Sequence, residues 1–120
     1  MKRLAAAALC LGLIAGPQLA LADTVASPTA AQVLDSTGAD HQVYVAYLGG
    51  VYDGLLAGTS FNNVTKQPEI FCMPGDAALS DSDIWKILGD YIQSADAKER
   101  NQPVSVEMLF ALRQHYPCKS

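Results

Sequence analysis

Two cysteines, two histidines and one mid-helix acid are the residues in this chain whose types and spacing could carry chemistry. Cys72 stands in Phe71-Cys72-Met73-Pro74-Gly75, and Cys118 ends His115-Tyr116-Pro117-Cys118. In an oxidising compartment these two read as one disulfide, because beyond the N-terminal region each has only the other; two free buried thiols are the alternative. A bonded sulfur is neither a resting nucleophile nor a zinc ligand, so His115 gains no partner for cysteine–histidine chemistry. His41 belongs to no ligand motif. Asp53, in Gly50-Val51-Tyr52-Asp53-Gly54, has apolar neighbours. It is expected to hydrogen-bond a backbone amide or tyrosine hydroxyl in the packed interior rather than to act as a catalytic acid. With no phosphate loop, carboxylate pair or internal repeat in view, the sequence reads as a protein that is not an enzyme and needs no cofactor or metal.

The oxidising compartment is itself read from the N-terminus. Lys2 and Arg3 precede an apolar run over 4–15, and Ala20-Leu21-Ala22 supplies the small-x-small pattern of a signal peptidase site. Residues 1–22 are therefore expected to be a signal peptide cleaved after Ala22, with Cys10 lost alongside it and 23–120 delivered to the periplasm. The apolar run is too short for a stable span and no second one follows, so no membrane attachment is expected once the leader is removed. Losing Lys2 and Arg3 leaves six basic residues against twelve acidic ones, a formal charge of −6. Such a surface repels phosphate backbones, which argues against nucleic-acid binding and for a basic protein partner, or simply for solubility.

The elements that must position these residues are helices. Ser27-Pro28 is expected to start a short one through Ala30, Ala31, Val33 and Leu34 that Gly38 ends. Asp40 is expected to cap a second, running to about Gly58, with Tyr44, Leu48, Val51 and Leu55 on one face. Beside that face Gly50, Gly54 and Gly58 align, forming either a close-packing seam within the monomer or a dimer seam. Residues 59–70 read as an exposed connection and a natural contact loop, with Asn62, Asn63 and Lys66 as candidate partner-binding residues. Ser80 and Asp83 look like a capping pair for a central core helix carrying Ile84, Trp85, Ile87, Leu88, Tyr91 and Ile92. A charged connection follows, whose Asp96, Lys98, Glu99 and Arg100 are either solvated or touch a partner. Pro103 then starts the last helix, with Val106, Leu109, Phe110 and Leu112 expected inward, Glu107, Arg113 and Gln114 outward, and Pro117 as its stop. No strand alternation is sustained. The expectation is an all-α bundle of about four helices with one disulfide, in a single small domain.

Three stretches together resemble the Rap/Tai family of type VI secretion amidase immunity proteins: Tyr47-Leu48-Gly49-Gly50-Val51-Tyr52-Asp53-Gly54, Phe71-Cys72-Met73-Pro74, and Ala111-Leu112-Arg113-Gln114-His115-Tyr116-Pro117-Cys118. The resemblance covers about 44–118, with Cys72 and Cys118 matching the family's cysteines and Asp53 the acid of its helical motif. It implies a small helical secreted protein that protects bacteria from effectors cleaving peptidoglycan crosslinks, acting as a homodimer that occludes the amidase cleft. A periplasmic acid-stress chaperone of the small helical, disulfide-bonded kind is the alternative.

Overall fold

The computed structural model describes residues 26–75 and 77–119. The expected leader and its cleavage point lie outside the described residues. The chain is all-α, and its helices are α1 (Ala30–Leu34), α2 (Gly38–Val64), α3 (Asp81–Ser94), α4 (Ala97–Arg100) and α5 (Val104–His115). The first departs from the expected start. Thr29, not Ser27, caps α1, because Thr29 and Gln32 form a reciprocal capping box: Gln32 N donates to Thr29 Oγ1 and Thr29 N to Gln32 Oε1. Pro28 precedes the helix instead of starting it, held alongside the Pro103 segment by Val104 N donating to Pro28 O at 2.8 Å and Ala30 N to Gln102 O at 3.1 Å.

Helix α2 begins earlier and ends later than its glycines suggest, with Asp40 inside its first turn. Its stop lies beyond Gly58. Lys66 adopts φ +58°, Lys66 N donates to Asn63 O, and Gln67 N donates to Asn62 O. That pair of bonds is the Schellman termination, built here on a lysine rather than a glycine. Asn62 and Asn63 are thus the last turn of α2, not a loop. Helix α3 starts where expected, with Asp83 N donating to Ser80 Oγ and Ser80 N to Asp83 Oδ2. The charged connection also differs from expectation: Asp96 and Glu99 form a third capping box and wind α4.

Helix α3 packs against both α2 and α5, while α1 lies on α4 and α5. The core comprises Val33 of α1, Leu48 and Tyr52 of α2, Phe71, Ile84, Leu88 and Ile92 of α3, and Val104, Met108 and Leu112 of α5. Helix α5 is rotated from its expected phase. Its buried stripe is Val104, Glu107, Met108, Ala111 and Leu112, whereas Val106 and Phe110 are 41% and 43% exposed. Two apolar arcs compete on this helix, and the Val104–Met108–Ala111–Leu112 arc is the one that faces α3. The winning arc carries Glu107 into the interior.

Candidate functional site

Cys72 and Cys118 are joined by a disulfide, with their Cα atoms 4.9 Å apart. Phe71 beside it is fully buried, and Cys72 N donates to Tyr116 O at 2.9 Å. Covalent bond, backbone bond and buried ring together fasten the C-terminal end of α5 to the chain entering α3. Glu69, Cys72 and Cys118 bring their ligand atoms within 4.8 Å of one another, but with both sulfurs spent in the bond this trio lacks thiolates for a metal. His115 lies edge-on to Tyr116 at 4.6 Å, and His41 edge-on to Trp85 at 4.4 Å. The two histidines thus stand on different helices as aromatic contacts.

Asp53 is exposed, contrary to the expectation of an interior hydrogen bond. It lies on the outer face of α2 with Gly50 and Gly54. A Cβ at either glycine would meet nothing within 4 Å, whereas one at Gly58 would touch Ile70 Cδ1 at 3.8 Å. The seam expected within the monomer therefore closes only at Gly58. Val43, Gly50, Ala57 and Val64 recur every seven residues along this face, joined by Phe61. Val43, Phe61 and Val64 are 65%, 67% and 82% exposed.

The two candidate contact stretches are not brought together. Asn62, Asn63 and Lys66 end α2, whereas Arg100 pairs with Asp35 at 3.2 Å, just before α2 begins. At 1.5 Å per residue, the helix between Gly38 and Asn62 separates them by roughly 36 Å. Asn62 Nδ2 donates to Pro68 O at 3.0 Å, and Asn63 Nδ2 donates to Glu69 Oε1. Both amides are therefore committed to shaping their own turn. Among Asp96, Lys98, Glu99 and Arg100, the first and third are committed to the α4 cap.

Cavities of about 720 and 470 Å³ lie beside α3. The larger has His41 and Trp85 in its wall. Its charges include Lys86 with Asp90 and Arg100 with Asp35, which are paired with one another. The second, about 470 Å³, opens between α3, α4 and α5. Glu107 lines it, is 2% exposed, and has no hydrogen-bond partner for Oε2. Burial, with the negative fields of Glu99 and Asp96, pushes its pKa above the ordinary glutamate value. Tyr91 in the same wall is also raised, by burial and then by Glu107 and Glu99. Glu107 was expected outside. The four- and three-residue steps from Val104 to Met108 to Ala111 are the sequence signal that places it inside.

Comparison of the chain with family models, with curated proteins and with solved structures gives no match in any of the three.

Proposed function

We propose that this protein is a periplasmic immunity protein that binds a type VI secretion peptidoglycan amidase and inhibits it by steric occlusion. The observation that carries the reading is the Cys72–Cys118 bond, which sets Phe71-Cys72-Met73-Pro74 beside Tyr116-Pro117-Cys118, two of the three stretches on which the family resemblance rests. The third stretch supplies a surface. Gly50, Asp53 and Gly54 lie on an open helix face flanked by exposed Val43, Phe61 and Val64, and this face is the proposed homodimer seam. Effector contact is assigned to the α4 end, where Asp96, Lys98 and Glu99 line a partly apolar cavity with an acidic bias and Arg100 lines the larger cavity that holds His41 and Trp85.

The test is to mix the oxidised protein with a type VI amidase from the same source and follow peptidoglycan crosslink cleavage. A stable complex with loss of cleavage is expected; cleavage at an unchanged rate overturns the reading for that pair.

A further inference from the structure

We propose that the cavity between α3, α4 and α5 is an anchor site for an arginine side chain of a protein partner. This names the chemistry at the contact end of the proposed immunity function and rests on that reading only for the identity of the partner. The first argument is the orphan. Glu107 lines an open 470 Å³ cavity, and its Oε2 is buried without a hydrogen-bond partner; a carboxylate withdrawn from water without a donor is costly until a cation arrives. Asp96 and Glu99 line the same cavity against one base, Lys98. Lys98 forms no ion pair among the described residues, and three acids against one base leave the cavity with a formal charge of −2.

The second argument separates a guanidinium from a metal ion. A small divalent cation needs several oxygens converging within a few ångströms. The acids of this cavity do not form such a group: Glu69, Cys72 and Cys118 are the cluster that converges among the described residues. On Asp96, Oδ1 accepts from Lys98 N at 2.8 Å and Glu99 N at 3.2 Å, and on Glu99, Oε2 accepts from Asp96 N at 3.1 Å, so one oxygen of each carboxylate is committed to the cap. A guanidinium is wide and planar with five donors, so it can span separated oxygens. The apolar part of the wall fits the rest of the side chain. Tyr91, Val106 and Phe110 line the cavity, offering aromatic faces for the cation and an apolar surface for the methylene stem. Val106 and Phe110 place apolar side chains on the exposed side of α5, which is what an anchor pocket needs.

The experiment titrates the oxidised protein with Nα-acetyl-arginine amide and, in parallel, with the neutral isostere Nα-acetyl-citrulline amide and with calcium chloride, following backbone amide resonances. Saturable shifts clustered at Tyr91, Glu99, Val106, Glu107 and Phe110 are expected with the arginine probe alone. Glu107→Gln is expected to weaken that binding about tenfold, through loss of the charge-assisted bonds, while resonances away from the cavity stay in place. If that variant does not fold, Phe110→Ala takes its role, with a several-fold weakening expected. The proposal is overturned by no response, by an equal response to citrulline, by a calcium response that arginine does not displace, or by unchanged affinity in the variant that folds. Because no effector is present, a null result here leaves amidase inhibition standing. Intact arginine binding without inhibition would instead overturn the functional reading.

Discussion

At one end of the bundle, α5 is tied to the segment entering α3 by a disulfide and a buried phenylalanine. At the other, α4 and the start of α5 enclose a carboxylate with an orphan oxygen. The first arrangement serves stability and leaves little free to react. The second is held by the Asp96–Glu99 capping box and retains an unsatisfied group, so it is the end at which an added hydrogen-bond donor would gain most. Breaking the covalent end gives the largest expected effect. The loop closed by the bond has a sequence separation of 46 residues, and the double variant Cys72→Ala/Cys118→Ala is expected to lose about 4 kcal/mol by urea denaturation, from restored denatured-state entropy. A loss well below that would mean that Phe71 and the backbone bond hold this end alone.

Changing the acidic end is expected to act in the opposite direction. Glu107→Gln removes the charge and keeps the shape, and is expected to stabilise the protein by about 1–2 kcal/mol at neutral pH, an unpartnered buried charge being the penalty relieved. The pH profile gives the sharper measurement. The folded pKa of Glu107 lies above its ordinary value of 4.5, so the folded state binds this proton more tightly than the unfolded one. Stability from this group rises as pH falls from the folded pKa toward the ordinary value. Asp83 has the opposite sign. Its pKa is lowered from 3.8 by the Ser80 side chain and backbone, so its contribution is present above 3.8 and lost as pH falls through the lower folded value. The wild type should therefore be most stable in mild acid, and Glu107→Gln should flatten the rise toward that maximum while leaving the acid limb in place. A wild-type profile that is flat from neutrality to pH 4.5 would contradict the burial of Glu107.

What could be read from the sequence divides along the same line. The disulfide, the central helix and its Ser80–Asp83 cap were legible because each depends on local chemistry or on a forced pairing. The end of α2 was not, because Gly58 looks like a stop while the true stop is a lysine in the left-handed region, a conformation that residue type does not announce. Helix α5 was legible as a helix but not in phase. Val106 and Phe110 form as apolar a stripe as Met108 and Leu112, and only packing on α3 decides between them. Glu107 followed the phase, so the cavity could not be seen before the fold was known. Asp53 shows the reverse error: apolar neighbours in sequence suggested burial, yet its face of α2 points outward.

A smaller effect separates the two kinds of cap. Ser80→Ala removes the side-chain acceptor for Asp83 N and is expected to cost about 1 kcal/mol. Thermal melts should show the loss shrinking below pH 3.8, where protonation of Asp83 weakens the reciprocal bond. A loss that is the same at both pH values would mean that the Asp83 carboxylate adds nothing to the box.

The smallest expected change in monomer stability tests the open face of α2. Gly50→Ala and Gly54→Ala each add a methyl group that meets nothing in the monomer, so each should stabilise the helix by up to about 1 kcal/mol through propensity alone. In a homodimer packed along this face the same methyl groups lie where two backbones approach, and the double variant should dissociate. Sedimentation velocity and thermal melts on one set of samples distinguish the cases. A higher melting temperature at low concentration with loss of the dimer places the seam on Gly50 and Gly54. A higher melting temperature with the dimer intact moves the seam elsewhere and leaves the glycines as tolerated gaps. A lower melting temperature in a protein that is monomeric throughout would mean that the face is covered within the monomer, and would reverse the contrast between a closed, stapled end and an open face available to a second copy.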